Sequence, residues 1–158
     1  MKLKYTRCNH KNNLITFCGI PASGKSTLAR IITNEYNATL YSYDDLPNAN
    51  LPSKKDEVRS NMWADILRDL KSGKTVVLDD LLTTKQMRKN MLDAISEVDC
   101  KKTIIVMQTP LDVCIQRNTN RKRRLPNQFL YSFHKRYEPP MLEEGFDEII
   151  YHKYNEND

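Results

Sequence analysis

None of the four cysteines, Cys8, Cys18, Cys100 and Cys114, stands in a CxxC spacing, which removes both a zinc ribbon and a thioredoxin-type redox pair from consideration. Cys18 and Cys114 sit in apolar stretches and read as small core residues. Cys8 and His10, in "CNH", are only two potential metal ligands on a polar tail, so solvated side chains are expected there. No apolar stretch approaches the length of a membrane span, and "MKLKYTRCNHKNN" carries positive charge with no apolar run behind it. Neither a membrane contact nor a signal peptide is expected, and a cytoplasmic location is. Internal repeats and low-complexity tracts are absent too. With 158 residues, 39% of them hydrophobic, the chain suffices for one ordinary core and is too short for two full domains with a linker. Residues 1–158 are therefore expected to form a single domain, with 1–12 as a polar N-terminal tail.

What is present alternates. "LITFC", "TLYSY", "TVVLD", "TIIVMQ" and "DEIIYH" are short β-branched and apolar runs that read as strands. Helical patterns lie between them. Leu28, Ile31 and Ile32 share a face from Lys25 onward, and Val58, Met62, Ile66, Leu67 and Leu70 repeat after "PSKKDE", where Ser53 and Asp56 suggest a loose capping box. Met87, Met91, Ile95 and Val98 follow the start signal Thr83–Thr84. A fourth helix begins near Pro110, with Leu111, Val113, Cys114 and Ile115, and Pro126 opens a last one with Phe129, Leu130 and Phe133 inward. Strands alternating with helices imply an α/β fold, a five-stranded parallel sheet with helices on both faces.

"GIPASGKST", Gly19 to Thr27, satisfies GxxxxGK[ST], the Walker A pattern, between the strand "LITFC" and a helix, the context that motif requires. Chance supplies this pattern in roughly half a percent of chains this long. Its glycines let backbone N–H groups wrap phosphate oxygens at a helix N-terminus, so Gly19, Ile20, Pro21, Ala22, Ser23, Gly24, Lys25, Ser26 and Thr27 are the expected nucleotide-binding residues. Lys25 is expected to reach the β- and γ-phosphates, and the Ser26 hydroxyl to ligate magnesium.

Two strands end in paired aspartates: Asp44 and Asp45 after "TLYSY", Asp79 and Asp80 closing "TVVLDD". In a doubly wound sheet those ends face the ligand crevice. One such carboxylate can take the proton of an attacking hydroxyl and another can hold magnesium; turn and cap residues are the alternative use of Asp at strand ends. Much of the net charge of +5 is concentrated in Arg117 and Arg121 to Arg124. Arginines at 117–126 can close as a lid over a transferring phosphoryl group, or bind a polyanionic substrate, and the sequence does not divide them between the two tasks. Trp63 reads as packing, His134 and His152 as surface residues, and Tyr41 and Tyr43 either as strand formers or as lining for an acceptor site.

"GIPASGKSTLAR", "YSYDDL", "VLDDLLTTKQMR" and "PLDVCIQRNTNRKRRLPNQFL" together resemble the polynucleotide-kinase-like branch of P-loop kinases. The spacing is similar to that of O-phosphoseryl-tRNA(Sec) kinase and the related Elongator-associated tRNA regulators. The resemblance runs from Leu14 to about Tyr137 and implies the three-layer P-loop NTPase fold with an Arg-rich lid. It implies Lys25 and Ser26 as phosphate and magnesium residues, Asp44 as the general base for the acceptor hydroxyl, and Asp79 and Asp80 as the acidic strand end. Asp79 is then the second magnesium residue. Arg88 matches the arginine that follows that acidic strand end, Arg121 the lid arginine, and Arg117 joins it in the nucleotide site. "RYEPPMLEEGF" is similar to a segment that follows the kinase core in kinases of 5'-hydroxyl ends. Pro47 departs from the arginine many such kinases have three residues after the base, and Leu81–Leu82 from a frequent Thr-Asn. A tRNA acceptor is expected to be gripped by the core itself or by a protein partner, because the tRNA-linked relatives carry a further C-terminal region.

The expected function is thus an ATP- and magnesium-dependent kinase acting on a hydroxyl of a nucleic-acid 5' end or a tRNA-linked group. The alternatives are an ATP-hydrolysing regulator of a tRNA-modifying assembly and a small-metabolite or nucleoside kinase. Asp45 stands next in line as base.

Overall fold

The structure is a computed structural model that describes residues 12–157; Cys8, His10 and the rest of the tail up to residue 11 lie outside the described residues. Five strands, β1 (Asn13–Cys18), β2 (Thr39–Ser42), β3 (Thr75–Asp79), β4 (Lys101–Gln108) and β5 (Glu148–Lys153), form one sheet in the order β2-β3-β1-β4-β5. Every pairing is parallel. Each expected strand is present, and α1 (Lys25–Tyr36), α2 (Lys55–Lys71), α3 (Lys85–Ala94), α4 (Leu111–Thr119) and α5 (Asn127–Lys135) connect or flank them.

Because successive side chains on a strand point to opposite faces, β1, β3 and β4 each supply two cores. Leu14, Val76, Leu78, Ile104 and Val106 face α2 and α3, where Met62, Ile66, Leu70 and Met91 meet them. Ile15, Phe17, Val77 and Ile105 face the other way, onto Leu28, Ala29 and Ile32 of α1. A third cluster joins the loop after β1 to the last two helices through Ile20, Cys114 and Leu130. The layers are therefore helix, sheet and helix, as expected for the P-loop NTPase fold.

Several local expectations change. Ile31 on α1 and Phe129 on α5 are half exposed, because the burying stripe of each helix is narrower than its apolar content. Ser53 does not cap α2: Pro52 starts a 3-10 turn over Pro52–Lys54 that runs straight into the helix, leaving Lys54 at the cap position without a side-chain bond. Thr84 does cap α3, accepting from the Met87 amide. That helix ends at Ala94, so Ile95 and Val98 are buried from the turn that follows. Trp63 packs against the α2–α3 core as expected.

Arg88 is fully buried on α3 and works as a structural tie. Its Nε donates to Glu144 Oε1 at 2.8 Å, and Nη1 donates to the carbonyls of Leu82 at 3.0 Å and Glu138 at 2.9 Å. The Glu138 amide donates to the Thr83 carbonyl at 2.9 Å, so the segment "EPPMLEE" is bound to the loop after β3. Breaking one side of a buried ion pair leaves an uncompensated charge, which costs about 3–5 kcal/mol. Arg88→Ala is expected to lower unfolding free energy by that order, read as an earlier urea midpoint at unchanged slope. The double substitution Arg88→Met with Glu144→Leu is expected to recover part of the loss, since no carboxylate is then left unpaired.

Candidate active site

The loop between β1 and α1 takes its shape from two glycines and two anchors. A Cβ on Gly19 would lie 2.6 Å from Ser23 Oγ and 3.0 Å from Met107 Cβ, so the backbone passes where only glycine fits. Gly24, at φ +99°, turns the chain into α1 in a conformation L-residues rarely adopt. Gly19 N donates to the Leu81 carbonyl at 3.0 Å on the β3 side, and Thr109 Oγ1 to the Ser23 carbonyl at 2.7 Å on the β4 side. α1 begins at Lys25 with no side-chain cap, leaving its first N–H groups and its dipole directed into the loop.

Lys25 is buried and folds back under the loop, donating to the Ile20 carbonyl at 2.7 Å and to Ser23 Oγ at 3.3 Å. Burial drives its pKa from 10.5 down to about 8, with Asp79 and Asp80 opposing the shift. Polyphosphate oxygens would be stronger acceptors than a carbonyl and would bring the charge that restores the ammonium.

Over this loop lies a cleft of about 1210 Å³. Pro21 to Thr27, Asp44, Asp45, Asp79, Asp80, Arg117 and Arg121 all line it, as do Lys122 and Arg123. Gly19 and Ile20 do not: Ile20 is buried against Cys114 and Leu130, and Gly19 lies behind the loop against Met107. Arg88 stays in its structural tie, away from the lining. Asp44 and Asp45 sit on a single 3-10 turn, Tyr43–Asp45, just past the end of β2, and both are exposed to the cleft. Asp79 closes β3 beside Ser42 of β2. Burial raises the pKa of Asp80, against the Leu81 amide, which donates to Asp80 Oδ1 at 2.8 Å, and the cations Arg59 and Lys25.

No group of three or more acidic, His or Cys side chains forms a metal cage among the described residues. Magnesium does not need one: it retains waters and takes phosphate oxygens beside one or two protein ligands. Ser26, exposed at the head of α1, and Asp79 share the cleft and offer the hard oxygens that such an ion takes.

The cleft also contains residues the sequence did not single out. Arg59 of α2 lies over the Tyr43 ring at 4.5 Å, and at the opposite end Arg117 lies 5.6 Å from the Tyr154 ring. Arg59 stands three residues before Met62, at the head of the buried stripe of α2, the one signal that could have placed it. One expectation is corrected here and one open alternative is decided. His152 is half-buried and lines the cleft, because β5 ends beside the loop. Tyr41 does not line it: its hydroxyl donates to the buried Asp69 at 2.8 Å and its pKa is pushed up to about 12. Tyr43 is the tyrosine in the cleft.

The family described as "Chromatin associated protein KTI12" matches residues 13–150. The bifunctional polynucleotide phosphatase/kinase of Schizosaccharomyces pombe is 28% identical over 141 residues, covering 86% of this chain and 32% of that protein. The L-seryl-tRNA(Sec) kinase of Methanococcus maripaludis is 23% identical over 142 residues, covering 85% and 56%. The chain thus spans about a third and just over half of these two relatives. The crystal structure of Chaetomium thermophilum Kti12 in complex with ADP-AlF3 shares the fold, with a TM-score of 0.66 at 19% identity over 90% of this chain and 89% of that one. No described helix is long and apolar enough to cross a membrane.

The lysine generates a pH prediction. Its folded-state pKa lies below the unfolded value, so between about pH 8 and 10.5 the unfolded chain binds more protons and stability rises with pH; below pH 8 the cost is fully present. That cost is about 3 kcal/mol. In protein free of nucleotide and magnesium, Lys25→Met is expected to raise stability at pH 7 by up to that order. Its advantage over the unsubstituted chain should vanish by pH 10.5, as followed by urea unfolding across pH.

Proposed function

This chain belongs to the KTI12 family, and we propose that it is an ATP- and magnesium-dependent phosphotransferase that moves a γ-phosphate to a hydroxyl on a nucleic-acid 5' end or a tRNA-linked group. One observation carries this reading: a phosphate loop, two carboxylates exposed on the turn after β2 and arginines from the α4 side all face one cleft. The names of the polynucleotide and seryl-tRNA kinase relatives support the acceptor class.

In this reading the loop amides and the Lys25 ammonium hold the β- and γ-phosphates, Lys25 exchanging the Ile20 carbonyl for phosphate oxygen. Asp44 accepts the proton of the acceptor hydroxyl as its oxygen attacks phosphorus and the β–γ bridging oxygen departs with ADP. Arg121, with Arg117, stabilises charge on the equatorial oxygens, and segment 117–126 closes as a lid that excludes water. Magnesium held by Ser26 and Asp79 would supply further charge neutralisation between the phosphates.

A second reading rests on the family itself, whose description names chromatin association and no transfer reaction: an ATP-hydrolysing regulator that uses the same loop. The two differ in product. The protein is incubated with γ-labelled ATP and magnesium against 5'-hydroxyl DNA, 5'-hydroxyl RNA, bulk tRNA, seryl-tRNA(Sec) and nucleosides, with Lys25→Ala as control. Label on an acceptor supports the kinase; label only in free phosphate, rising with tRNA, supports the regulator. Asp44→Asn is expected to reduce transfer about 10²- to 10⁴-fold while nucleotide binding persists. Near-normal transfer in that variant would move the base to Asp45.

A further inference from the structure

The strand order lays the cleft out in one direction. The loop stands at the centre after β1, Asp44 and Asp45 after β2 at one end, and Arg117 and Tyr154 beyond β4 and β5 at the other. With neighbouring strands about 4.8 Å apart, β2 and β5 are separated by roughly 19 Å, room for two substrates in line with the transferring phosphorus between them. Phosphates of the donor occupy the central loop. Any cation at the β2 end is therefore placed for the acceptor.

Arg59 is a cation at that end that makes no salt bridge among the described residues. Residues 46–51, "LPNANL", carry no charge. Arg59 reaches the same end of the cleft from α2, exposed, with its guanidinium stacked on the ring of Tyr43, the residue directly before Asp44. Every salt bridge among the described residues is made by other side chains, and Arg59 makes no hydrogen bond to them. The ring contact occupies the face of the guanidinium and no described acceptor takes its N–H groups, which suits bidentate contact with a phosphate. Asp80 feels its charge, and Asp44 and Asp45 follow Tyr43 on the turn.

We propose that Arg59, held flat by Tyr43, binds the acceptor's own phosphate, so that the site takes hydroxyls with a phosphodiester or phosphomonoester one nucleotide unit away, as on a nucleic-acid end, and discriminates against free nucleosides and sugars. The proposal rests on the phosphotransferase reading for the meaning of "acceptor", and its test separates the two. Arg59 and Tyr43 form a specificity element; the reacting atoms are left to Asp44 and the loop.

The first arm needs no transfer. Binding of a fluorescent 5'-hydroxyl single strand, DNA and RNA in turn, is followed by anisotropy with magnesium and a non-hydrolysable ATP analogue across a salt series. Arg59→Ala is expected to weaken binding about 10- to 100-fold and to reduce the slope of log K against log salt by about 0.7, one phosphate's share for a single strand. Arg59→Lys keeps the charge without the plane and is expected to recover the slope and only part of the affinity; Tyr43→Leu should weaken binding less than Arg59→Ala. The second arm compares transfer to a nucleoside with transfer to the same nucleoside 3'-phosphate, where Arg59→Ala is expected to raise the KM of the phosphorylated acceptor alone. Unchanged affinity and slope in Arg59→Ala, or a wild-type protein that binds no strand, overturns the proposal. So does a wild-type kinase indifferent to the 3'-phosphate. Loss of binding in Arg59→Ala with no transfer by any variant supports the clamp while removing the kinase reading.

Discussion

A lysine ammonium held in the interior with no carboxylate bonded to it is the constraint on which the other parts of the molecule depend. Lys25 is satisfied by a carbonyl and a hydroxyl of its own loop, enough to orient it and too little to replace water around a full charge. Such a group persists only where its surroundings leave it nowhere to relax. β1 provides that: it is buried on both faces and paired on both edges, and the loop it feeds is pinned from the neighbouring strands through Leu81 and Thr109. An anion beside the loop would resolve the conflict by supplying the charge that favours the ammonium.

Given that centre, strand order decides the rest. In a parallel sheet all carboxyl ends lie on one edge, and the groups after each strand become neighbours in the order of the strands rather than of the chain. Asp44 and Asp79, thirty-five positions apart in sequence, line one cleft because β2 pairs with β3. Arg117 meets Gly24 because β4 pairs with β1 on the other side, its Nη1 lying 3.4 Å from where a Gly24 Cβ would stand. The loop thereby stands between the Asp44 and Asp45 end of the cleft and the Arg117 and Tyr154 end.

Patterns within one element, and the parallel sheet their alternation implies, were legible in the sequence; several particular contacts between elements were not. Continuous apolar runs give strands buried on both faces, the GxxxxGK[ST] spacing gives the cradle, and the paired aspartates give the cleft edge, each from local residue type. What escaped is informative. Ile20 satisfies the motif and faces away from the cleft, because a loop of that curvature must bury one side chain. Tyr41 and Tyr43 alternate identically in sequence, yet β2 ends between them at Ser42, sending the first to Asp69 and the second into the cleft. His152 reads as a surface residue until β5 is known to lie next to β4.

Arg59 and Arg88 make the same point about charge. Both are arginines on helices packed against one face of the sheet, and no property of the residue type separates them. Arg88 is enclosed by acceptors: the carbonyls of Leu82, Glu138 and Pro139 and the carboxylate of Glu144 use up its donors. Its effect nonetheless reaches the site, since Leu82 and Thr83 continue from Leu81, whose carbonyl holds Gly19 N. The C-terminal segment thus fixes the loop on the β3 side through one buried guanidinium. Arg59 finds an aromatic face and no acceptor among the described residues. The difference lies in what surrounds each guanidinium: acceptors on every side of the buried Arg88, an aromatic ring beside the exposed Arg59.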